Sequence, residues 1–465
     1  MHKYGKVLVL GCGRSGRAAE AMLRSEGASV VSICQEVTPD YQYEDLHFDP
    51  EVAIISPGFS LKHSWIQDLM VRGIPLLSEL ELGWSRRHCP VIAVTGSNGK
   101  STVVKWIAEA LACAGQVGVP CGNYGLPVSA AVMLPEIPDW LVIEVSSFQL
   151  ETVDQFHPDI GLLLNVLPNH LDRHGDMETY RALKLRLFEN MKEGNTAILP
   201  FGFFQGLEPA EPGLAENFRS PGNCGEKVPM VGKPTPACGH PSTGGDSVCV
   251  HSRSFAVKSK TFGTEEGADV RFAAGRVGEI DLSGTCFDNE VLGSAAAAVA
   301  AVCEACGLPP GAMVASARSF EPLPHRMQTV AEISGVTFVD DSKATNLAGM
   351  CAALRMSSGP VHLIAGGRAK ETELSFAKDL LAQHVSRLYL IGEASKAMQA
   401  AWGDSVECLP CETLGEAVSA AWESAEPGDT VLLSPACTSF DQFRSFDERG
   451  EVFVREVDRL KSGCA

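Results

Sequence analysis

Val94-Thr95-Gly96-Ser97-Asn98-Gly99-Lys100-Ser101-Thr102 decides the reading of this chain. An apolar run, Val91 to Val94, precedes it and reads as a buried strand, and a helical pattern follows from Val103 onward. A glycine-rich turn between strand and helix exposes backbone N–H groups beside a helix N-terminus, where phosphate binds favourably. Lys100 would reach the outer phosphates, and the Ser101 hydroxyl could join a Mg²⁺ shell. In the strict G-x-x-x-x-G-K-[ST] pattern a glycine opens the loop. Val94 stands in that place, while every mechanical part is otherwise present.

At 465 residues the chain is too long for one ordinary core, and its length suggests roughly three domains. Apolar residues make up 45% of it, enough to bury several cores. With 38 basic and 57 acidic side chains the net charge is −19, which disfavours nucleic-acid and anionic-membrane partners. It leaves room for an anionic small ligand, because local loops and a metal ion can invert the field inside one cleft. No basic leader with an apolar core opens the chain, and no stretch of about 18 apolar residues occurs, so a soluble, cytoplasmic protein is expected. Sixteen cysteines in such a chain read as reduced thiols. The pair Cys303/Cys306 falls in an alanine-rich helical stretch as packing residues, and Cys408/Cys411 in a short Leu-Pro turn; a zinc site joining them is disfavoured by their separation.

Three α/β units are expected: 1–88, 89–318 and 319–465. In the first, Val7 to Leu10, Val30 to Cys34, Val52 to Ser56 and Pro75 to Leu77 read as strands, with a helix over Arg17 to Glu26. The turn Gly11-Cys12-Gly13-Arg14-Ser15-Gly16 matches a nucleotide-binding fingerprint. An NAD site would want an acid at the end of the second strand, where Cys34 and Gln35 stand, so a dehydrogenase reading is weakened. Ser56-Pro57-Gly58 is a second strand-end turn at the ligand crevice of a parallel sheet. The second unit offers strands at Val91 to Val94, Trp140 to Val145, Ile160 to Leu164 and Thr196 to Leu199. Residues 200–246, rich in glycine and proline, read as loops and short strands on its flank, and an alanine-rich helix follows Asn289. The third carries strands at Thr337 to Asp340, Val361 to Ile364, Arg387 to Ile391 and Thr430 to Leu433. The fold class is therefore α/β with three domains, the outer two Rossmann-like and the central one of phosphate-loop type.

Two further strand ends carry chemistry. Glu144 closes the strand Leu141-Val142-Ile143, facing the phosphate loop, where a lone carboxylate suits a hard Mg²⁺ ion that keeps several waters. Asn165-Val166-Leu167-Pro168-Asn169-His170-Leu171-Asp172-Arg173-His174 is a dense polar run after Ile160 to Leu164. Beyond it Tyr180-Arg181-Ala182-Leu183-Lys184 begins an amphipathic helix on which periodicity alone makes Lys184 a solvated lysine.

Taken together, Gly96 to Thr102, Gly122-Asn123-Tyr124-Gly125, Glu144 to Glu151, Asn169 to His174 and Lys184 follow the order and spacing of a known family. So do Pro324-His325-Arg326, Asp341-Ser342-Lys343-Ala344-Thr345-Asn346, Gly366-Gly367-Arg368-Ala369-Lys370 and Ser434 to Phe443. The chain resembles the Mur ligase family, and within it the ligases that add D-glutamate. The resemblance spans nearly the whole chain and is thinnest across 200–285.

The resemblance implies a reaction in peptidoglycan synthesis. ATP phosphorylates the carboxylate of UDP-N-acetylmuramoyl-L-alanine, and the amine of D-glutamate attacks the acyl phosphate. It implies Gly96, Ser97, Asn98, Gly99, Lys100, Ser101 and Thr102 around the phosphates. Asn289 takes the adenine side, and Arg326 and Asp341 are ATP contacts from the third domain. Mg²⁺ falls to Ser101 and Glu144, and a second ion to His170 and a carbamylated Lys184, whose added carboxylate would turn a repelling ammonium into an oxygen donor. Lys100, His170, Lys184 and Lys343 become the catalytic group. Arg14, Ser15, Gly16 and Ser56 would face the uridine diphosphate, and Asn123, Ser146 and Gln149 the muramoyl part. Thr345, Lys370, Ser439, Phe440 and Phe446 would hold the amino acid. Three positions depart from the family's pattern: Cys34 for the uracil-side aspartate, Leu292 for the second adenine-side asparagine, and Asn169 for the aspartate before the histidine. The alternatives are a Mur ligase with another amino acid, such as the L-alanine-adding ligase or folylpolyglutamate synthetase, and a non-catalytic UDP-sugar- or nucleotide-binding relative. The Ser434 to Phe443 run argues against the first two. Retention of Lys100, Glu144, His170 and Lys184 together argues against the last. A monomer without nucleic-acid or membrane partners is expected.

Overall fold

The structure, a computed structural model, describes residues 4–34, 48–203, 257–371 and 373–463. The apolar runs read from the sequence become strands because each is flanked by turn residues and long enough to cross a sheet buried on both faces. The first sheet holds β1 (Lys6–Leu10), β2 (Ser29–Ile33), β3 (Val52–Ile55) and β4 (Leu76–Ser78) in the order β2-β1-β3-β4, all parallel. Its first helix runs Arg14–Ser25, three residues earlier than expected, because Gly16 lets it approach the turn closely. A Cβ on Gly16 would lie 1.8 Å from the Gly11 carbonyl oxygen, so no other residue fits.

The second sheet comprises β5 (Val91–Thr95), β6 (Gly118–Gly122), β7 (Trp140–Glu144), β8 (Ile160–Leu163), β9 (Thr196–Pro200), β10 (Lys258–Gly263), β11 (Val270–Ala273), β12 (Arg276–Val277) and β13 (Ile280–Asp281). Their order is β13-β12-β11-β10-β9-β8-β5-β7-β6, with the last two pairings at the β13 end antiparallel. β6 escaped the sequence reading because Gly118, Pro120 and Gly122 break its pattern, and β10 to β13 because they are short and charged. Of the flank expected over 200–246, everything from 204 lies outside the described residues.

In the third sheet β14 (Gln328–Ile333) pairs antiparallel with β15 (Val336–Asp340), and β16 (Val361–Gly366), β17 (Val385–Ile391), β18 (Cys408–Pro410) and β19 (Thr430–Leu433) complete the order β14-β15-β19-β16-β17-β18. The segment read as a Leu-Pro turn at Cys408 is thus an edge strand. Its proline is tolerated because only one neighbour needs its hydrogen bonds. The zinc alternative gains nothing here. Cys303 is buried within the helix Glu290–Ala305, Cys408 sits on another sheet, and no disulfide joins the described cysteines.

The main core of the second unit packs the helices Lys100–Cys113 and Glu290–Ala305 against the central strands. The alanine run of the latter helix lets it lie close to the sheet, and Gly293 has no room for a side chain beside the Phe272 ring. Trp106, fully buried, stacks on Phe287 at 3.6 Å between centroids and donates to Ser316 Oγ at 2.9 Å. Trp106→Ala should therefore destabilise the chain by about 3–5 kcal/mol in urea unfolding, the cost of an emptied aromatic site.

Candidate active site

β5 lies between β7 and β8, so the loops after these strands converge beyond their carboxyl ends. The loop after β5 turns on Gly99, whose φ of 84° no β-branched residue would adopt readily, and Gly99 caps the helix Lys100–Cys113. Its scaffold comes from β8. Asn165 Oδ1 accepts the N–H groups of Ser97 and Asn98 at 3.0 Å each, and Asn165 Nδ2 donates to Asn98 O at 3.2 Å. The Ser97 hydroxyl points inward onto Leu167 and the Tyr180 hydroxyl.

Two lysines share one acceptor in this loop. Lys100 Nζ and Lys184 Nζ each donate to Gly96 O at 2.8 Å, and Lys100 also reaches Ser97 O at 2.9 Å. Lys184, expected on periodicity alone to be solvated, is only 1% exposed and lies over the Tyr180 ring, one helical turn before it on Met177–Leu185. Burial, with Lys100 adding repulsion, holds the Lys184 ammonium well below the usual lysine range, and burial lowers Lys100 too. Beside them Ser101 Oγ donates to Glu144 Oε2 at 2.6 Å, and Asn123 Nδ2 donates to Glu144 Oε1 at 2.7 Å. His170, with φ of 56°, packs edge-on to Phe148. Burial, then Lys370 and the neighbouring cations, pushes its pKa down to about 3. Its imidazole is neutral at any physiological pH and keeps a lone pair for a metal.

The third unit reaches into this cluster. Arg326 Nη2 donates to Ser101 Oγ at 2.9 Å, and Asn98 and Asn346 exchange amide hydrogen bonds at 3.0 and 3.4 Å. Asp341 is buried, accepts from Ser434 Oγ at 2.9 Å and the Met327 N–H at 3.2 Å, and burial pushes it up to about 7. Lys343 lies over the Phe446 ring at 3.6 Å. Burial and Arg326 lower its pKa to about 8. Lys370 Nζ reaches Thr345 Oγ1 at 3.4 Å; Ser439 is buried and Phe440 exposed.

From the first unit, Arg14 Nη2 donates to Gly125 O at 2.7 Å, and Ser56 packs on Gly11 at the turn that also holds Ser15 and Gly16. Arg173, whose Nη2 bonds Glu151 at 2.6 Å, carries the Pro57 and Phe59 carbonyls on its guanidinium, tying the Ser56 loop to the second unit. Ser146 and Gln149 bond each other as a capping box for Ser147–Leu150. Thr102 lies in the first turn of its helix. Asn289 stands apart. Its side chain caps Glu290–Ala305 through Leu292 N and donates to Cys286 O, and among the described residues it makes no contact with the cluster.

The structure thus gathers Lys100, Ser101, Glu144, His170, Lys184, Arg326 and Lys343 at one place. Asn165, Tyr180 and Asn346, to which the sequence reading assigned no role, hold the arrangement. Asn165 heads the polar run that the sequence marks at this strand end, and Tyr180 could have been noticed by its four-residue spacing from Lys184. Among the described residues no three His, Cys, Asp or Glu side chains form a metal-ligand set. One carboxylate, one hydroxyl and one neutral imidazole still fit a hard cation that draws its remaining oxygens from water and phosphate. Buried cations outnumber carboxylates here, in a chain of net charge −19. The site is built for a polyanion.

The chain matches the family described as Mur ligase middle domain over residues 94–202, and the Mur ligase, glutamate ligase domain over 325–437. It is 33% identical over 478 residues to the UDP-N-acetylmuramoylalanine--D-glutamate ligase of Koribacter versatilis, covering 98% of this chain and 97% of the relative. It is 34% identical over 485 residues to the ligase of the same name from Pelotomaculum thermopropionicum, covering 98% of each. Among solved structures, MurF ligase from Thermotoga maritima in complex with ADP shares the fold, with a TM-score of 0.57 at 16% identity over 98% of this chain and 96% of that one. Bifunctional folylpolyglutamate synthase/dihydrofolate synthase from Yersinia pestis, complexed with AMPPNP and Mn ion, does so at a TM-score of 0.50 and 15% identity over 81% and 91%.

The geometry sets a pH dependence. A lysine with a pKa of about 8 loses its charge above that pH and with it its attraction for phosphate, so kcat/KM for a phosphate-bearing ligand such as ATP should fall as pH rises through about 8. Lys343→Arg should flatten that limb in a pH–rate profile.

Proposed function

The chain belongs to the Mur ligase family, and from that premise we propose that it is an ATP-dependent ligase adding D-glutamate to UDP-N-acetylmuramoyl-L-alanine in peptidoglycan synthesis. The observation that carries the reading is the pair of lysines on the Gly96 carbonyl beside Ser101 and Glu144. Two buried lysines converging on one neutral oxygen leave the loop short of negative charge, which a triphosphate at Lys100 and a carbamate on Lys184 would supply.

The roles follow from position. Backbone N–H groups of Gly96 to Thr102 and the Lys100 ammonium would hold the phosphates; Arg326 and Lys343 would neutralise charge from the third unit. Ser101 and Glu144 would hold one Mg²⁺, and His170 with Lys184 the second. Bound Mg²⁺ supplies Lewis-acid stabilisation of charge on the transferred phosphoryl oxygens. Lys184 is carbamylated in this reading. Its lowered pKa favours the neutral amine, whose nitrogen attacks carbon dioxide and loses a proton, and the resulting carbamate anion replaces an ammonium that would repel the metal. The substrate carboxylate attacks the γ-phosphorus and ADP leaves; the D-glutamate amine then attacks the acyl carbon, phosphate departs, and the nitrogen loses a proton to give the amide. Closure of the third unit over the cluster would exclude water that would otherwise hydrolyse the acyl phosphate.

Arg14, Ser15, Gly16 and Ser56 would line the uridine diphosphate cleft, with Asn123, Ser146 and Gln149 at the muramoyl end. Thr345, Lys370, Ser439, Phe440 and Phe446 would receive D-glutamate. Asp341 would hold an ATP contact from the third unit. Asn289 would have to exchange its cap for adenine. Three domains, 1–88, 89–318 and 319–465, are proposed, supported by the confinement of each sheet to one of these ranges. The outer two are read as Rossmann-like and the central one as the phosphate-loop domain. All roles fall within one chain, in keeping with a cytoplasmic monomer, and no helix of the described residues is long and apolar enough to cross a membrane.

Phosphate release measured with ATP, Mg²⁺ and UDP-N-acetylmuramoyl-L-alanine should depend on D-glutamate and not respond to L-alanine or diaminopimelate; release with none of the three would leave a binding protein. Lys184→Ala should lower kcat on the order of a hundredfold, with acetate restoring part of it. Undiminished turnover would remove the carbamate from the mechanism.

A further inference from the structure

The last helix, Phe446–Gly463, carries near its start an arginine that is 0% exposed. Arg449 Nε donates to Ser342 Oγ at 3.0 Å, and Nη2 to Ser342 O at 2.8 Å and Cys437 O at 3.1 Å. Nη1 is buried with no hydrogen-bond partner among the described residues, and it lies 3.3 Å from where a Cβ on Gly367 would stand. One guanidinium therefore touches the chain just beyond β15, β16 and β19. Those three segments carry Thr345, Lys370 and Ser439, assigned above to the incoming amino acid, and the first also carries Lys343, assigned to the phosphates.

The contacts close on themselves. Ser342 Oγ donates to Phe446 O at 2.8 Å, at the head of the same helix, and Ser342 N donates to Asp340 Oδ1 at 2.9 Å. Asp340 Oδ2 pairs with His325 Nδ1 at 2.7 Å, and Gly450 has no side chain because His325 Nδ1 would lie 2.1 Å from its Cβ. The residue after His325 is Arg326, which reaches Ser101. Burying a guanidinium against carbonyls and a hydroxyl, with one donor unmet, is a poor way to stabilise a core; an apolar side chain of similar volume would serve better. A planar fork is, however, well suited to hold separate backbone segments at a set spacing.

We propose that Arg449 is a positioning residue for the amino-acid substrate: its fork sets the Ser342–Thr345 loop against the Cys437–Ser439 loop. This rests on the ligase reading above. The test uses the full chain, phosphate release, and the variants Arg449→Met, Arg449→Lys and Ser342→Ala. Arg449→Met should raise KM for D-glutamate about tenfold or more while KM for ATP stays within about twofold. Arg449→Lys keeps the charge but lacks the fork and should show the same rise, and Ser342→Ala a smaller one. If Arg449→Met does not fold, the other two variants carry the test. A residue that only stabilises the fold would lower Tm and leave KM for D-glutamate unchanged, and that result would overturn the inference alone. A wild-type chain without D-glutamate-dependent release would overturn the ligase reading, and the inference with it.

Discussion

The Gly96 carbonyl is the hub on which the site depends. Its oxygen takes Lys100 from the start of one helix and Lys184 from another helix, and so brings two buried lysine side chains together. Burial lowers the pKa of each, with Arg326 adding repulsion at Lys100 and Lys100 adding it at Lys184. The arrangement is tolerable because the carbonyl dipole and the Tyr180 face offer partial negative charge. It becomes favourable when an anion enters. An acidic chain thus keeps one cationic pocket, the inversion of local against global charge that a nucleotide-using enzyme of net charge −19 requires.

The neighbouring carboxylate is arranged with equal economy. Glu144 receives Ser101 on one oxygen and Asn123 on the other, so it is oriented before any metal arrives. Arg326 then joins Ser101 from across the chain, and the Asn98–Asn346 exchange fastens the phosphate loop to the third unit. These contacts place the described structure with its second and third units engaged. Chemistry that must exclude water gains from such engagement, since an acyl phosphate left open to solvent would hydrolyse.

The strands that frame the site were legible because they are continuous apolar runs between turn signals: Val91 to Val94, Trp140 to Val145 and Ile160 to Leu164 needed no tertiary information. The strands that escaped lie where that signal is diluted. β6 carries glycine and proline, and β14 and β18 are edge strands with one neighbour each. Cys408–Pro410 looked like a turn because proline usually ends a strand, but an edge can spare the missing donor. Lys184 shows the same limit for side chains. Its helical periodicity predicts solvent, and only the family resemblance drew it inward. Asn289 shows the reverse: its place in the motif suggests a ligand contact, and its side chain is spent on a helix cap.

By itself the sequence determined local things: the strand-loop-helix with Gly-Lys-Ser at its heart, the order of the polar runs, the acidic overall balance and the family they spell. These depend on spacing within a few residues of chain, where steric and hydrogen-bond preferences are set by neighbours. Only the tertiary structure decided that Lys184 and Lys100 meet on one oxygen, that Asn165 props the loop, and that a buried Arg449 ties three strand ends together. Those partners lie far apart along the chain, and nothing short of packing the sheets and helices against one another brings them within hydrogen-bond reach.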